Sequence, residues 1–175
     1  MKITMIRHTS VDVEPGICYG QTDVPLKETF PNEAAEVKRK LDGKHFDAVY
    51  TSPLSRCVRL ADFCGYPDAL RDNRLKELNF GDWEMKRFDE ITDPRLQEWY
   101  DDYYNVASTG GESFYDQRLR LEGFLNEIKA MGKESVAIFA HGGILLQAML
   151  ITGQITLDEA FDHQPPYGGI IELEF

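Results

Sequence analysis

Short, unbroken apolar runs alternate along the chain with longer segments in which apolar residues recur at helical spacing. The runs are typical of buried strands, and the longer segments indicate helices. Predicted strands lie at the start of the chain, at 47–51, near Leu70, at 135–140 and at 169–175. Predicted helices lie at about 32–41, 53–63, 94–104 and 114–131, with one more starting at Ile144. This alternation predicts an α/β fold of three layers, α/β/α, around a mostly parallel sheet.

Two of the predicted strands end in a histidine. The first strand runs into Arg7 and His8, and the run at 135–140 leads into His141. If these strands are parallel neighbours, both imidazoles project at the same carboxyl edge of the sheet. Open α/β folds bind their ligands at that edge. The pattern therefore predicts a functional site built from residues far apart in sequence.

A third strand end leads to an arginine. The run at 47–51 continues into Ser52 and Pro53, which suit the N-cap and the first position of a helix and so place Arg56 in its first turn. A cation there opposes the helix dipole unless it serves an anion that the helix N-terminus also attracts. A solvated surface arginine is the ordinary alternative. The repetition of the same strand-end geometry favours an anion site.

Length and composition limit the class of protein. With 175 residues, 42% of them apolar, the chain is long enough for one domain, 1–175, with a polar, aromatic-rich insertion at about 82–112. No stretch approaches the roughly 18 apolar residues of a membrane span, and no signal peptide is recognisable, so we expect a cytoplasmic protein without membrane contact. Cys18, Cys57 and Cys64 lack disulfide-framework or zinc spacing and are expected to be reduced thiols.

The chain is strongly acidic. It has 19 basic and 30 acidic residues, which give a net charge of −11. This balance disfavours nucleic acid as a partner and repels phosphorylated compounds at long range. An anion site in this chain must therefore be a local cluster of basic groups, so the position of each arginine is informative.

Four segments together resemble a known family. They are Arg7-His8-Thr9, Ser52-Pro53-Leu54 with Arg56, Leu75-Lys76-Glu77-Leu78-Asn79-Phe80-Gly81-Asp82-Trp83-Glu84, and His141-Gly142-Gly143. In this order, and over nearly the whole chain, they are similar to the motifs of the histidine phosphatase superfamily, in its phosphoglycerate mutase-like branch. The resemblance implies a phosphoglycerate mutase-like fold and the transfer of a phosphoryl group.

The resemblance also implies a role for each motif residue. His8 would be the nucleophile that carries the phosphoryl group, which divides one difficult displacement into two easier steps. Arg7 and Arg56 would clamp the phosphate oxygens, with His141 as a further donor. Glu77 occupies the position of the acid that protonates the leaving oxygen. Because arginines neutralise the charge, neither a metal nor another cofactor is expected.

Other residues are secondary candidates. Glu84 and Glu112 are rivals of Glu77 for the role of acid, although a glutamate is more often a surface residue. The insertion also contains four aromatic residues, Trp99, Tyr100, Tyr103 and Tyr104. They indicate either packing or a lid, and packing is the simpler interpretation.

The loop at 19–26 is a connector by composition. The family uses a similar loop to line the phosphate pocket, so the resemblance implies that Gln21 and Thr22 contact the substrate. Gly142, in the last motif, is a further candidate for substrate contact.

The chain departs from the family pattern at two motif positions. Thr9 stands where glycine is common, which leaves the backbone less room near the phosphate and adds a hydroxyl. Leu78 stands where the mutases have an arginine directly after the acid. The insertion is acidic at Asp101 and Asp102, whereas the mutases carry basic residues there for a substrate carboxylate. These departures favour a phosphatase over a phosphoglycerate mutase.

Among phosphatases, the short chain, the loop at 15–23 and the His-Gly-Gly ending most resemble the α-ribazole phosphatases of cobalamin synthesis. This resemblance implies a small-molecule phosphomonoester as partner, α-ribazole 5′-phosphate, hydrolysed to the nucleoside and phosphate. A broad-specificity phosphatase is the main alternative. A noncatalytic phosphate-binding relative would lack a catalytic group, whereas the expected groups are all present. The sequence leaves the oligomeric state open.

Overall fold

Five strands form one sheet, and each lies where the sequence predicts a strand. The computed structural model describes residues 1–175, and its strands are β1 (Lys2–Arg7), β2 (Ala48–Thr51), β3 (Leu70–Arg71), β4 (Ser135–Ala140) and β5 (Ile170–Glu174). The helices are α1 (Phe30–Leu41), α2 (Ser55–Phe63), α3 (Arg95–Asp101), α4 (Phe114–Ala130) and α5 (Gly142–Ile151). None of them is long and apolar enough to cross a membrane.

The sheet has the order β3-β2-β4-β1-β5, and its register brings the predicted strand ends together. β1 pairs in parallel with β4, with Arg7 opposite Ala140, and β2 pairs in parallel with the other side of β4. Only β5 is antiparallel, so the predicted α/β fold with a mostly parallel sheet is confirmed. The carboxyl ends of β1, β2 and β4 share one edge, and His8, Ser52 and His141 follow them directly.

Helices cover both faces of the sheet, and alternate residues of a strand point to opposite faces. In β4, Val136, Ile138 and Ala140 pack with α4 and α5, while Ala137 and Phe139 pack with α1 and α2. These five residues are fully buried because β4 is central and covered on both sides. Each large apolar side chain buried in this way contributes about 1.5–3 kcal/mol to stability. The packed sheet therefore gives the strand ends fixed positions.

Helix α2 begins later than predicted. Its first residue is Ser55, and Leu54 precedes it with extended backbone, so the prediction that Ser52 caps this helix was wrong. The Ser52 hydroxyl instead lies 2.8 Å from Nε2 of His141 and accepts a 3.3 Å hydrogen bond from the Leu54 amide. Arg56 is still in the first turn of the helix, as expected.

Helix α5 begins earlier than predicted, at Gly142 instead of Ile144. His141 keeps extended backbone, with φ −124° and ψ 163°, and the helix follows at once. The first amide groups of α5 therefore open directly at the edge of the sheet. The three cysteines are free and buried.

The segment between β3 and α4 folds over the carboxyl edge of the sheet. It contains short 3₁₀ turns at Asn73–Leu75, Gly81–Trp83 and Phe88–Glu90, in addition to α3. Leu75 and Trp83 are completely buried and anchor the segment. The predicted insertion at 82–112 lies within this segment, beside the strand ends.

Candidate active site

His8 is the first residue after β1 and is almost completely buried. Its amide donates to the Ala140 carbonyl at 3.1 Å, which extends the pairing of β1 with β4. Ring atom Nδ1 lies 2.8 Å from the Thr9 carbonyl oxygen. Because a carbonyl oxygen only accepts, Nδ1 must carry the ring proton. Nε2 therefore has a free lone pair, which a nucleophilic imidazole requires.

The surroundings of His8 keep its ring neutral. Burial is the largest cause, followed by the positive charge of Arg56; Arg7 adds to it, and the hydrogen bond to Thr9 opposes it. Together they lower the pKa of His8 from 6.5 to about 3. The imidazole is therefore unprotonated throughout the neutral range.

His141 faces His8 across the sheet edge. The two ring centroids are 5.2 Å apart, and the ring planes meet at 63°. Nε2 of His141 lies 2.8 Å from the Ser52 hydroxyl and 3.5 Å from the sulfur of Cys57. Burial, and then the charge of Arg56, lower the pKa of His141 well below its ordinary value. The prediction that the two histidines meet in space is thus confirmed, and both are neutral.

Arg7 holds the loop that precedes β5. Its Nη1 donates to the Pro165 carbonyl at 2.5 Å, and its Cζ lies 4.2 Å from the centre of the Tyr167 ring. The Tyr167 ring is also 5.6 Å from that of His8, and its hydroxyl lies 2.9 Å from the Tyr19 hydroxyl. The two tyrosines therefore bridge two loops beside the nucleophile.

Arg56 is completely buried, in contrast to a solvated surface arginine. Its Nη1 donates to the Thr22 carbonyl at 2.9 Å and its Nη2 to the Gly20 carbonyl at 2.5 Å. The Nε–H groups of Arg56 and Arg7 are both buried and have no partner. Each arginine thus has at least one buried donor without a partner, and Arg7 also lines the cavity beside His8, whereas Arg56 does not.

Glu84 organises the loop that contains Gln21 and Thr22. Its carboxylate accepts hydrogen bonds from the amides of Gly20, Gln21 and Phe80 at 2.9–3.2 Å and from the Thr22 hydroxyl at 2.7 Å. Burial alone raises the pKa of Glu84, but these hydrogen bonds outweigh it and hold the pKa below its usual value. Glu84 is therefore a structural anion and does not line the cavity.

The loop side chains predicted to contact substrate make contacts inside the protein. The Thr22 hydroxyl donates to Glu84. The side-chain amide of Gln21 donates from Nε2 to the backbone carbonyl of Glu77 at 3.1 Å. Neither residue lines the cavity beside His8. Their contact with a substrate stays a prediction.

Glu77 is the candidate acid whose carboxylate faces the cavity. Its Oε1 accepts from the Leu78 amide and from Nε2 of Gln117, both at 2.9 Å. Its Oε2 accepts from the Gly143 amide at 3.0 Å. Gly143 lies in the first turn of α5, so the start of that helix holds the carboxyl group in place. A backbone amide therefore holds each carboxyl oxygen of Glu77.

Glu112, the other rival, supports Glu77 from behind. It accepts from the Asn79 amide at 2.9 Å and from Nε of Arg120 at 2.8 Å. Arg120 also donates to the Glu77 carbonyl at 3.0 Å. Of the three candidate carboxylates, only Glu77 lines the cavity.

Two glycines after His141 make room for the site. A Cβ at Gly142 would lie 2.6 Å from Nε2 of Gln164 and 3.1 Å from Cζ of Arg7. A Cβ at Gly143 would lie 2.3 Å from Oε1 of Glu77, closer than such contacts occur. The start of α5 can therefore approach Arg7 and Glu77 only because both positions lack side chains.

The cavity has a volume of about 240 Å³, and its two ends differ. Arg7, His8 and Glu77 lie at one end, and the polar side chains of Gln117 and Gln164 also line it. Apart from Gly143, the rest of the wall is mostly apolar and consists of Tyr19, Leu78, Phe80, Trp99, Tyr103, Phe114, Leu146 and Phe161. A larger groove of about 660 Å³ lies at the opposite end of β1 and contains none of the predicted site residues.

The aromatic residues of the insertion pack together. The Trp99 ring stacks on Phe88, with centroids 6.2 Å apart and planes at 23°, and meets Trp83 edge to face at 5.9 Å. Trp99 and Tyr103 also line the cavity, whereas Tyr100 is exposed. Packing, the simpler of the two interpretations, describes these contacts, and the packed rings form the apolar end of the cavity.

Sequence reasoning missed five lining residues: Phe114, Gln117, Leu146, Phe161 and Gln164. None of them follows a strand or belongs to a recognisable catalytic or binding motif. The turn-rich sequence before β5, with its consecutive prolines and glycines, was the one available signal for a loop near the site. No group of three or more His, Cys, Asp or Glu side chains is arranged to hold a metal ion.

Known proteins are similar to this chain over most of its length. The Histidine phosphatase superfamily (branch 1) matches residues 3–175. Adenosylcobalamin/alpha-ribazole phosphatase of Salmonella typhimurium is 28% identical over 168 residues, which covers 91% of this chain and 82% of that protein. Phosphoserine phosphatase 1 of Hydrogenobacter thermophilus is 25% identical over 150 residues, which covers 81% of this chain and 71% of that protein. Phosphoglycerate mutases also match.

The solved structures share the fold. The alpha-ribazole phosphatase from Shigella flexneri superimposes with a TM-score of 0.89 at 22% identity, over 100% of this chain and 91% of that chain. The predicted phosphoglycerate mutase-like fold is therefore confirmed. Because the family match extends from the first strand to the last residue, the chain belongs to the histidine phosphatase superfamily, branch 1.

Proposed function

We propose that this protein hydrolyses a phosphomonoester through a covalent phosphohistidine on His8, and that its substrate is α-ribazole 5′-phosphate. The observation that carries the proposal is the state of His8, which is buried and neutral with the Nε2 lone pair free. Beside it, Arg7 and Arg56 each keep an unpartnered Nε–H donor. Glu77 lines the same cavity as His8 and supplies a carboxyl group for proton transfer.

In the first half-reaction, Nε2 of His8 attacks phosphorus and the bond from phosphorus to the leaving oxygen breaks. Glu77 gives its proton to that oxygen, because an alkoxide is a poor leaving group. The ring of His8 becomes positive as the N–P bond forms, and its Nδ1–H remains bonded to the Thr9 carbonyl, which stabilises that charge. The results are phosphohistidine, a Glu77 carboxylate and a free alcohol.

In the second half-reaction, water attacks phosphorus. The Glu77 carboxylate takes a proton from the water, the N–P bond breaks, and inorganic phosphate leaves. His8 is again neutral and Glu77 is again protonated. One carboxyl group thus serves as acid and then as base, and every proton is accounted for.

Arg7, Arg56 and His141 stabilise the charge on the transferred group. Arg56 is completely buried and Arg7 is half-buried, and hydrogen bonds to backbone carbonyls fix both guanidinium groups near His8, so they need little rearrangement when charge develops on the phosphate oxygens. His141, whose ring centroid lies 5.2 Å from that of His8, adds a neutral donor. Because these groups supply the neutralising charge, we expect hydrolysis to continue in EDTA, and a strict need for a divalent metal would contradict this assignment.

The apolar end of the cavity supports a leaving group with a flat ring. Phe80, Trp99 and Tyr103 line it, and ring contacts of this kind are worth about 0.5–1.5 kcal/mol each beyond area burial. The Salmonella relative is named adenosylcobalamin/alpha-ribazole phosphatase, and it matches most of the chain. Both observations favour α-ribazole 5′-phosphate, in which a ribosyl benzimidazole is the leaving alcohol.

Isomerisation of a phosphoglycerate is the less favoured reaction. It requires cationic groups for a second anion on the substrate, whereas Arg7 is the only lysine or arginine that lines the cavity, and the proposed phosphate contact occupies it. Leu78, where the mutases have an arginine, lines the cavity with an apolar side chain. A phosphatase of broad specificity remains the alternative to one dedicated to α-ribazole phosphate, and the match to a phosphoserine phosphatase supports it.

A substrate screen tests the proposal. We expect kcat/KM for α-ribazole 5′-phosphate to exceed that for phosphoserine and 3-phosphoglycerate by about 10- to 100-fold, because two or more ring contacts add to binding. Isomerisation of 3-phosphoglycerate, measured in parallel, should be undetectable. Equal kcat/KM values for all esters would support broad specificity instead, and isomerisation faster than hydrolysis would contradict the phosphatase assignment.

Two variants test the roles of His8 and Glu77. His8→Ala should abolish hydrolysis of p-nitrophenyl phosphate, and full activity in that variant would contradict the mechanism. Glu77→Gln should lower kcat/KM for phenyl phosphate by about 10²–10⁴-fold, with a much smaller loss for p-nitrophenyl phosphate, whose leaving group hardly needs a proton. Equal losses for the two esters would remove Glu77 from the role of acid.

A further inference from the structure

Gln117 is a completely buried polar residue beside the site. It lies near the start of α4 and lines the cavity. Its side chain makes one hydrogen bond, from Nε2 to Oε1 of Glu77 at 2.9 Å, and its own Oε1 has no partner. A buried amide oxygen without a partner loses the hydration that it has in the unfolded chain, which disfavours folding. The feature that points to a function is the direction of its donor, which binds Glu77 at the wall of the cavity.

The hydrogen bonds of Glu77 are distributed unequally between its two oxygens. Oε1 accepts two, from the Leu78 amide and from Gln117, whereas Oε2 accepts one, from the Gly143 amide. Each carboxylate oxygen has two lone pairs. Oε1 is therefore saturated, and Oε2 keeps one lone pair free. Gln117 supplies the only side-chain donor on this carboxylate, and the other two donors are backbone.

We propose that Gln117 is a positioning residue that saturates Oε1 of Glu77 and so makes Oε2 the atom that exchanges the proton. This inference rests on the proposed function of Glu77. In the first half-reaction, Oε2–H gives its proton to the leaving oxygen, and in the second, Oε2 takes one proton from water. The Gln117 N–H remains on Oε1 in both. Without it, the proton occupies either oxygen, and a fraction of the molecules carries it on the wrong side.

The start of α5 is shaped around this pair. A Cβ at Gly143 would lie 3.1 Å from both Nε2 and Oε1 of Gln117, in addition to its closer approach to Glu77. The absence of a side chain at Gly143 therefore accommodates Gln117 and Glu77 together. The same glycine donates to Oε2, so the atom proposed to exchange the proton is also fixed by backbone.

The variant Gln117→Met tests this role, because methionine has nearly the same length but cannot donate. We expect kcat/KM for phenyl phosphate to fall about 10-fold or more, since misplacement of a catalytic group is costly, while the value for p-nitrophenyl phosphate changes less than about threefold. KM for phenyl phosphate should change less than about threefold, because the ground-state contacts remain. The midpoint of thermal unfolding should stay the same or rise, because the unpartnered oxygen is removed.

Gln147 offers a matched control. It is also completely buried, its Nε2 donates to the Phe114 carbonyl, and its Oε1 has no partner, but it does not line the cavity. Gln147→Met should leave kcat/KM for both esters unchanged. If Gln117→Met does not fold, Gln117→Asn replaces it, because it keeps an amide but withdraws it from Glu77 by one methylene. The same dependence on the leaving group is expected.

Equal changes for the two esters in the Gln117 variants, or no change, would overturn the inference. So would a leaving-group-dependent loss of the same size in Gln147→Met. Glu77→Gln measured in parallel distinguishes a failure of the proposed function from a failure of the positioning role. If Glu77→Gln lacks the leaving-group dependence, the proposed function fails; if only the Gln117 variants lack it, the proposed function stands and the positioning role is wrong.

Discussion

The two ends of the cavity are built by different means. At the phosphate end, His8 and His141 follow central strands, and Glu77 is held by the first turn of α5. At the apolar end, Trp99 and Phe161 come from short helical segments outside the sheet, and their contacts are between rings. Rigid backbone therefore fixes the atoms proposed to react, while side-chain packing shapes the surface proposed to select the leaving group.

Low pH should lower the free energy of unfolding through His8, at the phosphate end of the cavity. The folded state lowers the pKa of His8 from 6.5 to about 3, so between these values the unfolded chain binds a proton that the folded chain does not. The contribution of this histidine to stability is complete above pH 6.5 and is lost as pH falls towards 3, at about 1.4 kcal/mol per pH unit. His8→Asn should flatten the dependence of the unfolding free energy on pH by that slope, measured by urea denaturation.

His45 provides the control for this measurement, because it is exposed. His45→Asn should reproduce the slope of the wild type between pH 3 and 6.5. A His8→Asn variant with the wild-type slope would show that burial of a neutral His8 does not govern acid stability.

Gly143→Ala should damage the phosphate end next most strongly. The added Cβ would lie 2.3 Å from Oε1 of Glu77, so the carboxylate must move. We expect kcat/KM for phenyl phosphate to fall about 100-fold, since a displacement of about 1 Å at a catalytic group has that effect. Gly123→Ala, in an exposed part of α4 with no atom near the new Cβ, should keep full activity and gain about 0.5–1 kcal/mol of stability. Activity within threefold of wild type in Gly143→Ala would contradict the proposed geometry.

Trp99→Leu should affect the apolar end more moderately. Loss of ring contacts should raise KM for α-ribazole 5′-phosphate about 10-fold, with little change for ethyl phosphate, which lacks a ring. Tyr115→Leu is the control, since this exposed aromatic residue of α4 does not line the cavity. A similar rise in KM for both esters would mean that Trp99 supports the fold of the site instead of selecting the leaving group.

The same contrast explains how much the sequence could predict. The strands were predictable because runs such as 135–140 are buried on both faces, and parallel pairing then places His8 near His141. The start of α5 was predicted two residues too late, because its first two residues are glycines and glycine has a low helix propensity. The hydrogen bond from Gln117 to Glu77 joins residues 40 positions apart. Helical periodicity predicts only that Gln117 faces inward, and it does not predict this partner.

The carboxylates illustrate the limit in another way. Glu77, Glu84 and Glu112 are all glutamates beside motif residues, and the family resemblance was the main reason to choose Glu77 as the acid. In the structure they differ by their hydrogen-bond donors: Glu84 holds a loop, Glu112 pairs with Arg120, and Glu77 faces the cavity. Those donors come from turns and loops, whose backbone directions a sequence pattern does not specify.

The central claim is that His8 carries the phosphoryl group. The direct measurement is to mix the enzyme with p-nitrophenyl phosphate labelled with ³²P, quench in alkali after one turnover, and locate the label by peptide mass spectrometry. We predict one phosphoryl group per chain on the peptide that contains His8, more of it in Glu77→Gln because water is activated less, and none in His8→Ala. Label on His141 or on any other residue, or label that persists in His8→Ala, would contradict the mechanism.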